Sequence, residues 1–366
     1  MNTFIRNLRS CALMTACFIG LNTTAVLADD GHSGEGLTST AYKHAPIGVM
    51  GEHMHNKGEF MLSYRYMHMD MHGNRSGTSS VDPNTIATTL AHPYAPPATV
   101  RVVPTDMQMD MHMVGAMYAP LDDLTLMIMG MYHDKSMNHI TYAGMAGSTV
   151  RGHFNTESKG WGDTKVSGLI RLHKDSTHNV HLNLGLSLPT GSIKETDQVL
   201  APNGTTPTLR LPYGMQLGTG TFDLLPGITY QGYQGDWNWG AQYSAEIRLE
   251  DENSQGYSWG DKHTVTAWGA YQWAPWVSTS LRMTAWTQDE IDGRDTQIGA
   301  PVQTANPDNY GGNFVDAGIG VNFIIPEGPL VNHRFAIEAN VPVHRDVNGT
   351  QLENDWGVTA GWQYAF

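Results

Sequence analysis

The residues with the clearest potential for chemistry are methionines and histidines that recur in short runs. Sixteen of the 20 methionines fall between residues 50 and 145. The runs are 51–55, 67–72 and 107–113, and Met127, Met129, Met131 and His133 follow them. Thioether and imidazole are soft ligands that suit Cu(I), and Ag(I) by analogy, whereas imidazole with carboxylate suits Cu(II) or Zn(II). Copper or silver ion is therefore the cofactor that these runs favour.

The first 28 residues have the pattern of a cleaved secretory signal. Arg6 and Arg9 form a basic start, an apolar stretch runs from Cys11 to Leu21, and Val26-Leu27-Ala28 is a small-residue cleavage site. Cleavage after Ala28 removes both cysteines, so no disulfide or thiolate site is predicted in the mature chain. A lipoprotein signal that ends at Cys17 stays an alternative. We expect an exported chain with a signal peptide at 1–28, an N-terminal periplasmic segment at 29–57 and one domain at 58–366.

From Gly58 onward the chain alternates apolar and polar residues with a period of two. In 180–188, Val180, Leu182 and Leu184 alternate with polar or small residues, and 315–323 and 335–341 follow the same rule. One apolar face and one charged face are what a strand between lipid and water requires. Past residue 30 no apolar run approaches the ~18 residues of a spanning helix, which excludes a polytopic helical protein.

The lengths of the connections distinguish a barrel from a soluble sandwich. About twelve strands are predicted, near 58–71, 105–118, 124–136, 161–172, 180–190, 213–231, 237–249, 262–273, 276–287, 312–325, 333–343 and 354–366. Short turns alternate with long loops, above all 72–104, 137–160, 191–212 and 288–311. This is the layout of outer-membrane barrels. The predicted fold is all-β: a transmembrane antiparallel up-and-down β-barrel of the outer-membrane type, in contact with outer-membrane lipids.

Aromatic residues mark the ends of these strands. Trp237, Trp239, Trp273 and Trp276 flank two short turns, where an interfacial girdle is expected. The chain ends with Phe366 on an alternating strand, which resembles the signal that outer-membrane assembly machinery recognises. Backbone groups in lipid must pair internally, so such strands are stable only in a closed barrel.

Several motifs resemble the outer-membrane transporters grouped under the putative meta-pathway of phenol degradation. They are 160–163 (GWGD), 184–192 (LGLSLPTGS), 216–223 (QLGTGTFD), 291–294 (IDGR), 326–330 (PEGPL) and 361–366 (GWQYAF). The resemblance covers about residues 44–366. It implies an outer-membrane barrel that moves small molecules, and it does not specify the cargo.

The polar face of the strands predicts which side chains line the lumen. The expected lumen and constriction residues are Arg65, Asp110, His112, Lys165, Arg171, His181, Asp223, Glu246, Arg248, Arg282, Asp316, Arg334 and Glu338. Both charge signs are present, whereas a strongly selective ion pore is expected to have one dominant sign. A narrow channel and an interior ladder of ion pairs both stay open as interpretations.

A metal site at the outer rim is the more specialised hypothesis. Its predicted ligands are Met67, His68, Met69, Asp70, Met71, His72, Asp110 and His112. Parity with Arg65 directs Met67, Met69 and Met71 inward, whereas residues 107, 109, 111 and 113 are expected to face lipid. His53 and His55 precede the first strand and are expected outside this cluster. The alternative is that methionine serves only as flexible apolar filler.

Other function classes have less support. No nucleophile elbow, HExxH or P-loop pattern occurs, so no enzyme activity is predicted. The net charge of −14 disfavours nucleic acid as a partner. The sequence therefore predicts an outer-membrane channel that passively conducts small solutes, and a structural or adhesive barrel without transport stays the alternative.

Overall fold

The computed structural model describes residues 41–366, so the predicted signal peptide and residues 29–40 lie outside the described residues. The strands are β1 (Phe60–Gly77), β2 (Ser79–Val81), β3 (Val102–Leu121), β4 (Leu124–Tyr142), β5 (Val150–Trp161), β6 (Thr164–Lys174), β7 (His178–Leu188), β8 (Thr196–Gln198), β9 (Thr208–Arg210), β10 (Asp223–Gln234), β11 (Trp237–Arg248), β12 (Tyr257–Ser258), β13 (Lys262–Ala274), β14 (Val277–Gln288), β15 (Asp292–Gly293), β16 (Gly312–Ile324) and β17 (His333–Ala365). Helix α1 is Pro83–Thr89, and short 3-10 helices form at Ala41–Lys43, Tyr213–Met215, Gln303–Ala305 and Pro307–Asn309. Among the described residues, no helix has the length and apolar character to cross a membrane.

Eleven of the described strands close into one antiparallel barrel, in the order β1, β3, β4, β6, β7, β10, β11, β13, β14, β16 and β17. The ring closes where β17 pairs with β1, and Phe60 and Phe366 exchange two backbone hydrogen bonds of 2.8 Å. Strands β2 and β5 pair with β1 and β4 but lie off this path. The predicted outer-membrane type of barrel is confirmed.

The last strand, β17, doubles back on itself and supplies two passes of the wall. Residues 334–347 pair with β16, and residues 347–365 pair with β1. Between these arms Gly349 has a φ of +57°, a left-handed conformation that suits glycine at a turn. Arg334 on the first arm donates a hydrogen bond of 2.6 Å to Gln363 on the second. Counted by passes, the wall has the predicted twelve strands.

The short turns lie at one end of the barrel and the long loops at the other. Only residues 122–123 separate β3 from β4, and only 235–236 separate β10 from β11. The predicted strand 213–231 began too early, since β10 starts at Asp223 and Tyr213–Met215 is a 3-10 helix in the long loop. The alternating apolar residues of 213–217 are buried by the folded loop rather than by a sheet.

The outer face of the barrel carries a band of exposed apolar side chains. Leu184, Leu281 and Ile319 are 53%, 66% and 61% exposed although they lie in the middle of paired strands. Trp237 and Trp273 are 57% and 67% exposed at the short-turn end, where the girdle was expected. A strand surface of this kind is stable when lipid covers it.

Candidate functional site

Residues 41–57, which we name the inserted segment, run inside the barrel at its short-turn end. Gln242 donates a hydrogen bond of 2.9 Å to the Met50 carbonyl, and the His181 ring nitrogen lies 3.0 Å from the Gly51 carbonyl. The backbone N–H of His55 donates to Thr125 at 3.1 Å. These partners lie on β11, β7 and β4, so the segment crosses the lumen.

Apolar packing fixes the middle of the inserted segment. Ala45 and Val49 are buried against Trp268 of β13. Ile47 is buried against Gly361, where an added Cβ would lie only 2.7 Å from the Ile47 side chain. Residues 41–57 of the predicted periplasmic segment 29–57 therefore lie within the barrel and obstruct its lumen at this level.

Buried charges surround the inserted segment. The Glu338 carboxylate accepts a hydrogen bond of 2.6 Å from Arg282 Nε and one of 3.0 Å from the Gly48 backbone N–H. Arg334 lies 3.3 Å from Glu52, and Glu52 and Glu338 are 2% and 1% exposed. One ion pair and one hydrogen bond thus tie the segment to β17, and Glu338 in turn pairs with Arg282 of β14.

Replacing Glu338 with alanine is expected to destabilise the folded barrel by about 2–3 kcal/mol, because the partly buried Arg282 and the Gly48 N–H would lose their charged acceptor, and Arg282 would keep its hydrogen bond to Thr284. Urea unfolding in detergent measures the change. The exposed Glu157→Ala variant is the control, and its effect is expected to stay within about 0.5 kcal/mol. Equal stability of the two variants would show that water solvates Arg282.

Eleven of the predicted lumen residues lie on the inward face: Arg65, Lys165, Arg171, His181, Asp223, Glu246, Arg248, Arg282, Asp316, Arg334 and Glu338. On β6, β10 and β11 they pair into a ladder. Arg248 lies 2.5 Å from Asp223, and Lys165 lies 2.8 Å from Glu246. Paired charges of both signs leave the lumen without one dominant sign.

The predicted inward orientation of Asp110 and His112 is wrong. His112 and Asp110 pair across β1 with Tyr66 and His68, on the same outer face as the exposed Val114. Asp110 accepts a hydrogen bond of 2.5 Å from Tyr66 and lies 2.8 Å from the His68 ring nitrogen. Strands β1 and β3 have 18 and 20 residues, more than the ~9–11 that span a bilayer. Their outward polar residues therefore lie beyond the apolar band.

The predicted rim metal cluster is divided between the two faces of β1. Met67, Met69 and Met71 face inward, as parity indicated, whereas His68, Asp70 and His72 face outward with Asp110 and His112. A single ion cannot be held by all of these side chains, because the sheet lies between them.

Thirteen methionines line the inner face of three adjacent strands, and we name them the methionine wall. Four lie on β1, five on β3 and four on β4: Met61, Met67, Met69, Met71, Met107, Met109, Met111, Met113, Met117, Met127, Met129, Met131 and Met137. The expectation that residues 107, 109, 111 and 113 face lipid is wrong. They share the parity of the buried Gly115 and Met117, opposite to the exposed Val114 and Tyr118.

The methionine wall forms successive rows across the sheet. Met107 stands directly between Met71 and Met137, and Met117 stands directly between Met61 and Met127. Side chains opposite each other on one face have Cβ atoms about 4.5–5.5 Å apart, so neighbouring thioethers can contact one ion. The ten residue steps from Met61 to Met71 cover roughly 33 Å of strand.

A small cavity lies between the inserted segment and the end of the methionine wall that is nearest the short turns. Methionine side chains dominate its lining, together with Glu52, His53 and Arg65. Its free space is about 10 Å³, roughly that of one water molecule. An ion of that size fits the cavity, whereas a larger solute requires the inserted segment to move.

The long loop 189–222 packs on the methionine wall at the opposite end of the lumen. Its Leu211 and Met215 pack on Met107 and Met137 of the methionine wall. Lys135, on the same inward face, donates to the carbonyls of Gly214 and Gln216 at 3.0 and 2.7 Å.

An aromatic cluster of the outer loops supports this loop. Tyr213 contacts Tyr257 with ring centroids 4.7 Å apart, and burial raises the pKa of Tyr257 to about 12. The phenol of Tyr257 is therefore neutral at physiological pH. The cluster is a small buried core that the long loops share.

Three of the sequence motifs meet at one carboxylate. Asp163, in the break between β5 and β6, accepts hydrogen bonds from the backbone N–H groups of Gly191 and Thr219 at 2.9 and 2.8 Å. A Cβ added to Gly191 would lie 2.8 Å from the Gly218 Cα, so the close approach of the two chain segments requires glycine. The motifs thus hold loop 189–222 in place.

Replacing Asp163 with alanine is expected to release loop 189–222, because two partly buried backbone donors would lose a charged acceptor. The cost is about 2–3 kcal/mol. Trypsin should then cleave the folded barrel faster after Lys194 or Arg210, as followed by mass spectrometry. The exposed Asp251→Ala variant is the control, and identical cleavage rates would contradict this role of Asp163.

Sequence reasoning missed the residues that the inserted segment contributes. His44 and Glu52 were not recognised as interior residues, and the run 51–55 was assigned to the periplasm. The available signal was the apolar stretch 45–50, which requires burial somewhere. Lys135 and Lys262 also face inward, with Lys262 over the Trp286 ring at 4.4 Å.

Comparisons with known proteins bear on the fold. A COG4313 outer membrane channel from Pseudomonas putida F1 has a TM-score of 0.55 at 12% identity, covering 87% of this chain and 100% of that chain. A FadL homologue from Pseudomonas aeruginosa has a TM-score of 0.45 at 8% identity, covering 90% and 98%. The second similarity is weaker and adds nothing to the first.

No protein-family model matches the chain, and no curated protein is significantly similar to it. The resemblance to the phenol-pathway transporters therefore stays a prediction. The chain has the fold of an outer-membrane β-barrel, and its lumen holds the methionine wall and the inserted segment.

Proposed function

We propose that the chain is an outer-membrane channel for small solutes and that soft metal ions such as Cu(I) are among its cargo. The observation that carries this proposal is the methionine wall. It follows one side of the lumen from the capped end to the inserted segment.

Thioethers suit the passage of a soft cation. They bind Cu(I) and Ag(I) without carrying a charge, and methionine offers a ligand in every row of β3 from Met107 to Met113. Conduction requires sites that bind well enough to admit an ion and weakly enough to release it to the next site. Repeated neutral ligands meet this requirement better than one tight site.

The inserted segment makes the proposed channel a gated one. It obstructs the lumen at the short-turn end, and loop 189–222 packs on the methionine wall at the other end. Passage of a solute larger than a small ion requires the inserted segment to move. The segments are held by hydrogen bonds and non-covalent packing, and the predicted mature chain has no cysteine to lock them.

A structural or adhesive barrel without transport is the second candidate. The ion-pair ladder of β6, β10 and β11 and the inserted segment favour it, since both stabilise a filled interior. In either function we infer that the protein resides in the outer membrane and that the strand ending at Phe366 is recognised by the assembly machinery.

Planar-bilayer recordings test the transport proposal. We expect a conductance that is larger for AgNO3 than for KNO3, with a reversal potential that favours Ag⁺ under bi-ionic conditions. Liposome swelling with small sugars tests uptake of neutral solutes. Conductance without a preference for Ag⁺ would contradict the metal cargo alone. The absence of any conductance or uptake, both in the wild-type barrel and in a barrel that lacks residues 41–55, would contradict transport and support the structural barrel.

A further inference from the structure

The inserted segment brings three potential metal ligands together inside the barrel. The ligand atoms of His44, Glu52 and His53 all lie within 4.8 Å of one another. His44 Nδ1 is 3.3 Å and His53 Nδ1 is 2.8 Å from the same Glu52 oxygen, Oε1. This group lies on the segment that obstructs the lumen at the short-turn end, whereas the predicted rim cluster lies toward the long-loop end of β1.

The two distances from Glu52 to the histidine nitrogens lie close to the ligand–ligand separation of a tetrahedral coordination shell. With metal–ligand bonds of about 2.0–2.1 Å, two ligand atoms of a tetrahedral site are roughly 3.4 Å apart. Small shifts from 2.8 and 3.3 Å reach that separation. Two imidazoles and one carboxylate also form the ligand set that divalent zinc and copper accept, with a fourth position left for water.

The His53 ring lacks the hydrogen bond expected of a buried imidazole, whereas His44 Nδ1 has a hydrogen bond of 3.3 Å with Glu52. His53 Nδ1 is buried and has no hydrogen bond with acceptable geometry, although Glu52 Oε1 is near. Nε2 of the adjacent His55 is also buried without a partner. Buried polar atoms are normally paired, so an unpaired ring nitrogen beside a carboxylate points to a missing ligand.

Arg334 is the group that competes with a cation for Glu52. Its contact with Glu52 is 3.3 Å, whereas it donates shorter bonds of 2.6 Å to Gln363, the Ala45 carbonyl and Asn322. Arg334 therefore keeps its hydrogen bonds if Glu52 Oε1 turns to a metal. Glu52 Oε2 keeps its own partner, Gln231, at 3.2 Å.

We propose that His44, Glu52 and His53 bind a divalent ion of the Zn(II) or Cu(II) class and that this ion pins the inserted segment inside the barrel. The ion links residue 44 to residues 52–53 across the turn at Gly51, whose φ is +57°. The site does not depend on the proposed cargo, since it uses nitrogen and oxygen ligands rather than the thioethers of the methionine wall.

The test uses the full-length barrel, purified without a histidine tag, folded in detergent and stripped with EDTA. Isothermal titration with Zn²⁺ should give one site per chain. His44→Gln and His53→Gln should each weaken it by about 100-fold or more, since even outer-shell changes cost 10–100-fold. Cu²⁺ added to the wild-type barrel should give an EPR spectrum with hyperfine structure from two imidazole nitrogens, which reports the ligands without any variant.

One control variant separates this site from the predicted rim cluster. His68→Ala with His72→Ala removes imidazoles of the predicted rim cluster and should leave Zn²⁺ binding unchanged. Heat-modifiable mobility in electrophoresis checks that every variant is a folded barrel. No stoichiometric Zn²⁺ binding, equal binding by His53→Gln, or loss of binding in the rim variant would overturn the proposal. Failure of Ag⁺ conduction would leave it intact.

Discussion

Deleting residues 41–55 is expected to convert the barrel from a closed to an open pore. The inserted segment contributes the Ala45, Ile47 and Val49 packing that obstructs the lumen, and the barrel wall does not need it to complete its strand pairing. A twelve-stranded barrel lies between filled eight-stranded barrels and open sixteen-stranded porins, so single-channel conductance in KCl should rise about tenfold or more.

The control for this deletion is a chain that lacks residues 29–40 and keeps 41–57. Both chains are refolded from the mature sequence, which makes signal processing irrelevant, and heat-modifiable mobility verifies the barrel. We expect the control to keep the wild-type conductance. If the deletion of 41–55 also leaves the conductance unchanged while the barrel stays folded, the cap at loop 189–222 controls passage instead.

Replacing four methionines of β3 with leucine is expected to abolish most of the soft-metal affinity of the lumen. The variant carries Met107→Leu, Met109→Leu, Met111→Leu and Met113→Leu, all on the inward face. Leucine keeps the volume and apolar character of methionine, so each change should cost less than about 1.5 kcal/mol of stability. Because leucine has no sulfur to bind a soft ion, the affinity of the lumen for Ag⁺ should fall by about tenfold or more.

The matched control replaces a methionine that faces away from the lumen. Met283 on β14 is 48% exposed on the outer face, so Met283→Leu should leave Ag⁺ binding and conduction unchanged. Titration with Ag⁺ and the bi-ionic reversal potential provide two readouts. Undiminished Ag⁺ affinity in the β3 variant would show that these methionines act as apolar filler.

The barrel itself was predictable because strand periodicity is a local property. Residues 180–188 and 315–323 alternate apolar side chains with polar or small ones. This pattern indicates a strand with one apolar and one polar environment on its two faces. The lengths of the connections between strands then indicated the barrel topology. The predicted strands 276–287 and 312–325 match β14 and β16 closely. The ion pair of Arg248 with Asp223 was not predictable as a pair, since it depends on the register of neighbouring strands.

The predicted outward orientation of the β3 methionines was wrong for a physical reason. The rule that apolar residues face outward holds only within the hydrocarbon layer, and β1 and β3 extend beyond it. Beyond that layer the outward-facing Asp110 and His112 are exposed to water, and the methionines that alternate with them face the interior of the barrel. Continuing the parity of Val114 and Tyr118 up the strand would have given the correct face.

By itself the sequence determined the class of fold, the alternating faces and the concentration of soft ligands in the first three long strands, because each is a property of neighbouring residues. Only the tertiary structure decided that thirteen methionines share one lumen wall and that Glu52 and His53 lie inside the barrel. Those features depend on strand register and on a segment that contacts residues more than a hundred positions away. Side-chain periodicity carries no information about such distant contacts.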